Sequence, residues 1–142
     1  MRAILINPET KTITEVEYTG DYKNIYEHIG ADCFTAISID HYENEDRETI
    51  FVDDEGLYRN PQNFFMWSGY DQPLAGKGLI LGTDAGGESV ATSYGIEYVK
   101  AMVSFPDIEL SHFEEVSGTT NWHGIEMPMV GQRAIFKPKG PQ

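Results

Sequence analysis

The chain has 142 residues, 40% of them hydrophobic, with 23 acids against 10 bases and a formal net charge of −13. That length suits one domain with a real core. The charge opposes direct nucleic-acid binding unless bases cluster, and Arg2, Lys11, Lys23, Arg47 and Arg59 are scattered. No stretch approaches the roughly 20 apolar residues that span a bilayer, and the N-terminus lacks the regions of a secretory leader, so a cytoplasmic location without a membrane is expected. Cys33 is the only cysteine, which excludes an internal disulfide and a multi-cysteine metal knuckle.

In chain order, the apolar run Ala3-Ile4-Leu5-Ile6 breaks at Asn7-Pro8-Glu9-Thr10, and a second extended run covers Thr12 to Tyr18. Proline presets φ and cannot continue a strand, so this pattern predicts a hairpin. Tyr22, Ile25, Tyr26 and Ile29 then fall at i, i+3, i+4 and i+7, the face of a helix that Asp21 caps and Gly30 ends. Cys33 to Ile39 reads as a strand with Cys33, Ile37 and Ile39 on one face. Thr49 to Val52 reads as its hairpin partner, halted by Asp53-Asp54-Glu55-Gly56. Between them, His41 to Glu48 reads as a long, solvated acidic connection.

Asn60-Pro61 suits the start of a short helix, Ser68 to Pro73 a loop, Gly78 to Gly82 a short buried strand, and Thr83 to Glu88 a glycine-rich turn. A helix from about Thr92 to Val103 would put Ile96, Val99, Met102 and Val103 on one side despite Gly95. Pro106 ends it, and Ile108 to Phe113 reads as an edge strand. Pro128 to Phe136 echoes Pro73 to Leu81, a turn feeding a strand in both cases, which is read as coincident turn chemistry rather than a duplicated unit. The fold class expected from these elements is α+β: a mainly antiparallel sheet with two or three helices packed on one face.

Few constellations carry chemistry. Gly82 to Ser89 follows a strand and precedes an expected helix, a context in which backbone N–H groups hold phosphate, but it lacks the Gly-Lys-Ser/Thr ending, and Asp84 and Glu88 oppose an anion. Asp53 to Gly56 fails the calcium-loop template, since Phe51 and Gln62 occupy ligand positions. The four histidines, His28, His41, His112 and His123, have no metal-ligand spacing. No catalytic residue, metal or cofactor is therefore expected. Two surfaces remain. Trp67, Tyr70 and Trp122 belong to a large aromatic supply suited to binding, against which burial of the neighbouring Phe64 and Phe65 is the plainer use. Glu43, Glu45, Asp46 and Glu48 crowd one acidic stretch that would attract a basic groove, against which simple solubility is the plainer use.

The opening hairpin and helix, with Val52-Asp53-Asp54-Glu55-Gly56 and Leu74 to Gly82, resemble a small uncharacterised domain family found in bacteriophages, plasmids and their bacterial hosts. The resemblance covers about residues 1–105 and is looser between Asn60 and Tyr70. It implies one domain over residues 1–142, with a family-like core at 1–105 and an extension at 106–142 packed on it. Together with the acidity, it implies a non-catalytic accessory protein of a phage or mobile element, acting in the host cytoplasm on a host protein with a basic surface, as in counter-defence. The alternatives are a protein that sequesters a nucleotide-like ligand, and a small enzyme using the Gly82–Ser89 loop.

Overall fold

A computed structural model of the chain describes residues 1–42, 45–59 and 61–140, without the side chains of residues 41, 42, 45, 46 and 122. The chain divides into two compact units, Met1–Pro106 and Asp107–Gln142. In the first, β1 (Arg2–Asn7) and β2 (Thr12–Glu17) form the expected antiparallel hairpin, in register from Arg2↔Glu17 to Asn7↔Thr12. Its turn is closed by the Asn7 side chain, which accepts from the Glu9 N–H at 3.1 Å. Helix α1 (Lys23–Ile29) follows. Asp21 accepts from the Lys23 N–H at 3.1 Å, and Gly30 ends the helix at a left-handed φ of 69°. Ile25 and Ile29 are buried, while Tyr22 stands exposed, edge-on to Tyr26.

β3 (Phe34–Tyr42) and β4 (Glu45–Asp53) pair through to Tyr42↔Glu45, so the expected long acidic connection is strand for most of its length, with residues 43 and 44 outside the described residues. The main sheet is completed by β7 (Gly78–Thr83) and β8 (Ser89–Val90), in the order β2-β1-β7-β4-β3 with β8 beside β7. Every pairing in it is antiparallel. A second, three-stranded sheet has β5 (Phe64–Trp67) between β6 (Leu74–Ala75) and β9 (Val103–Ser104). Phe64 to Trp67 is thus a strand, not the continuation of a helix from Asn60-Pro61. Helix α2 covers only Ile96–Met102, because the chain before it stays extended through Gly95.

The expectation of helices on one face is overturned. Strand accounts for 53% of the chain and helix for 13%, so the fold is mostly β, with two seven-residue α-helices among the described residues. Those helices join opposite layers. Alternate residues of the central strands point to two separate clusters: Ala3, Phe51, Leu79 and Leu81 meet Ile25 and Ile29 of α1, whereas Ile4, Ile6, Ile50, Val52 and Ile80 meet Phe65, Trp67 and Val99 of β5 and α2. The strands are apolar without alternation because both faces are covered. Gly78 allows the close approach of these layers, since a Cβ there would lie 2.7 Å from the Phe65 ring.

One buried carboxylate ties the layers together. Glu48 lies on the same face of β4 as Ile50 and Val52 and is 1% exposed. It accepts from the Thr92 hydroxyl at 2.8 Å and from the Ser93 N–H and hydroxyl, each at 2.7 Å. From β1, the Arg2 carbonyl accepts from the Thr92 N–H at 2.9 Å, and the Arg2 guanidinium donates to the carbonyls of Thr92 and Tyr94. So fixed, Tyr94 stacks on Trp67 with ring centres 6.0 Å apart.

The second unit is one long hairpin, β10 (Ile108–Trp122) with β11 (Ile125–Pro138), paired from Ile108↔Pro138 to Trp122↔Ile125. Its turn, His123-Gly124, has positive φ at both residues, 50° and 79°, the geometry that matches strand twist in a two-residue loop. β10 thus runs far beyond the edge strand expected at Ile108 to Phe113.

Two outcomes test this packing. Ile25→Asp places an unpaired charge under α1 and is expected to lower stability by several kcal/mol in denaturant unfolding; a change within about 0.5 kcal/mol contradicts the burial. Burial, reinforced by Asp40, raises the Tyr94 hydroxyl above the usual tyrosine value. The unfolded chain therefore ionises first, so stability is full below about pH 10 and falls as pH rises beyond it. Tyr94→Phe is expected to flatten that alkaline fall, and an unchanged slope contradicts it.

Candidate functional site

β4 ends at Asp53, whose carboxylate accepts from the Glu55 N–H at 3.0 Å and so turns the chain into the 3-10 helix η1 (Gly56–Tyr58). Gly56 sits against β6, where a Cβ would meet the Ala75 carbonyl at 3.2 Å. Arg59 follows and reaches back to three carboxylates: Asp53 at 3.1 Å, Glu55 at 3.2 Å and Asp32 at 3.7 Å. Asp53, above all, holds the guanidinium in its charged form. Three acids share one cation, so the group keeps a negative balance. Arg59 and the Glu55 N–H occupy Asp53, while Asp54 beside it stays exposed on the second of the two cavities beside η1.

η1 is a wedge between two cavities. One, of about 320 Å³, lies between the Asn7–Glu9 turn, the end of α1, Arg59, Asn63 and Lys77. The other, of about 440 Å³, lies between β3, the end of β4, Tyr58, Tyr70 and Leu74. Both are within the size range of ligand sites. Arg59 and Lys77 line the first beside Glu9; Tyr58, Tyr70 and Asp54 line the second; and Asp53 borders both.

Of the residues singled out in the sequence, Tyr70 lines this second cavity. Trp67 does not reach the surface: it is 3% exposed and stacked under Tyr94. Glu48 is likewise withdrawn into the core by Thr92 and Ser93. Glu43 lies outside the described residues, as do the side chains of Glu45, Asp46 and Trp122. The backbone of Trp122 belongs to the hairpin tip. Tyr58 carries no periodic signal in the sequence and Arg59 stands there only as one of several scattered bases; the available signal is their place just after Asp53-Asp54-Glu55-Gly56, where the turn aims them outward.

The Gly82–Ser89 loop leads into β8, not a helix, and its amides are taken: Asp84 accepts from the N–H groups of Gly86 and Glu88, each at 2.9 Å. A phosphate would compete with that carboxylate. Among the described residues no group of three or more His, Cys, Asp or Glu is placed to hold a metal ion, and no helix is long and apolar enough to cross a membrane.

No curated protein and no solved structure matches the chain. A family model does match residues 1–104, ending close to where the first compact unit ends at Pro106. The chain therefore belongs to the family described as Domain of unknown function (DUF3846).

Proposed function

We propose that this chain is a non-catalytic binding protein whose family domain takes a basic segment of another protein, in the manner of a phage or mobile-element accessory protein acting on its host. The observation that carries this reading is the cavity beside η1, with Tyr58 and Tyr70 on its wall and Asp53 and Asp54 at its rim. An arginine or lysine side chain suits it, laying its aliphatic stem and charge against the rings and its head towards Asp54. The cavity opens on a unit in which residues 1–106 hold 18 acids and 7 bases, a field that draws a basic partner inward.

A nucleotide suits the surface less well, because the rings line one cavity and Lys77 and Arg59 the other, with η1 between them. Catalysis at the Gly82–Ser89 loop is disfavoured by the Asp84 carboxylate that occupies its amides.

The test is capture of a partner from a host lysate, its identification by mass spectrometry, and titration of the purified pair. Affinity is expected to fall steeply as salt rises from about 50 to about 500 mM. Asp54→Asn with Tyr58→Ala is expected to lower it at least about tenfold, with an unchanged far-ultraviolet circular dichroism spectrum. A partner held equally by the variant and at both salt levels contradicts the reading.

A further inference from the structure

The β10–β11 hairpin is built in two different ways along its length. Near its base it carries cross-strand ion pairs, Glu109 with Lys137 at 3.4 Å and Glu114 with Arg133 at 3.3 Å. Hydrogen bonds from His112 and Arg133 hold the Glu114 carboxyl below its usual range. Such rungs suit a ribbon surrounded by water. Beyond them the pattern stops. Residues 116–132 contain one formally charged side chain, Glu126, in a chain of net charge −13.

Within that stretch, Val116, Ile125, Met127, Met129 and Val130 are all exposed, Ile125 at 59% and Val130 at 66%. A two-stranded ribbon is marginal in water on its own, and natural sheets guard open edges with charge. The register assigns the faces. Val116↔Gly131, Gly118↔Met129 and Thr120↔Met127 are successive alternate rungs, so Val116, Gly118, Gly131, Ile125, Met127 and Met129 share one face, with Val130 on the other. On the shared face the methionines project, while a Cβ at Gly118 would meet nothing within 4 Å. Knobs and recesses thus alternate on a single surface.

We propose that this face is where two copies of the chain associate, about a two-fold axis, with Met127 and Met129 of each copy seated over Gly118 and Gly131 of its partner. A two-fold interface requires one surface to complement itself, and a face carrying both projecting thioethers and glycine recesses does so. Charge selects the same occupant. A basic partner would find its attraction on residues 1–106, and the neutral tip offers it none. Two copies, each strongly negative, meet with least repulsion where the chain is neutral. Methionine adapts to such a contact because its side chain is unbranched and polarizable.

The experiment is sedimentation velocity on the full chain from about 1 to about 200 µM, at low and high salt. A dimer is expected that tightens as salt rises, because salt screens the repulsion between the copies. That is the opposite sign to the binding of a basic partner by the cavity, so the two readings fail separately. Met127→Lys with Met129→Lys is expected to weaken the dimer at least about tenfold, with an unchanged circular dichroism spectrum. Met127→Ser with Met129→Ser does the same without added charge and serves if the lysine variant misfolds. Val130→Lys, on the opposite face, is expected to leave the dimer intact. A monomer throughout the range overturns the proposal, as does a dimer that the methionine variants leave unchanged or that Val130→Lys disrupts equally.

Discussion

A carboxylate inside a sheet core destabilises the fold unless its oxygens are filled by donors held in place. In this chain Glu48 meets that condition with three hydrogen bonds from two adjacent residues, Thr92 and Ser93. The consequence reaches well past the site itself. Fixing Thr92 and Ser93 sets where the chain crosses the sheet, and the small Gly82 opposite Glu48 leaves room for that crossing, since a Cβ there would lie 2.6 Å from the Ala91 carbonyl. Tyr94 is then delivered onto Trp67, and α2 is started at the point where Val99 enters the core. Those three bonds first offset the cost of burying the carboxylate, so their weight shows when one partner is removed and the others are left unpaired.

The sequence made some of this legible and hid the rest for identifiable reasons. The opening hairpin, the short helix ending at Gly30 and the buried strand at Leu79–Leu81 all follow local rules, of turn chemistry and hydrophobic spacing. The layer arrangement does not. Ile4-Leu5-Ile6 and Ile50-Phe51-Val52 are continuous apolar runs, and in an antiparallel sheet such runs mean cover on both faces. Placing both helices on one face leaves half of those side chains in water. The extent of β structure is hidden as well, because Phe64 to Trp67 is too short to distinguish strand from helix by period alone.

Charge density misled in a similar way. Glu48 belongs to the most acidic stretch of the chain, and by composition it looks solvated like its neighbours. Only the fold brings Thr92 and Ser93, more than forty residues away, to its oxygens. Trp67 misled through its flanking Ser68 and Gly69, which are exposed although the indole is not. Tyr70, by contrast, does reach a cavity, because β5 has ended and the chain is turning back towards β6. The cavities beside η1 depend on where a turn places Tyr58 and Arg59, and no periodic pattern encodes that. The long terminal hairpin is hidden because Ser117-Gly118-Thr119-Thr120-Asn121 carries no apolar run or alternation, and β10 and β11 pair with each other alone among the described residues.

The Glu48 clamp holds the fold's layers together, and equilibrium unfolding of Glu48→Ala in denaturant tests it directly. The substitution leaves the Thr92 and Ser93 donors facing a void. The clamp predicts a loss of about 3 kcal/mol or more, together with faster hydrogen exchange at the Ser93 amide. A variant within about 0.5 kcal/mol of the parent, with the Ser93 amide still protected, would mean that the two layers are held by apolar packing and that the buried carboxylate is incidental.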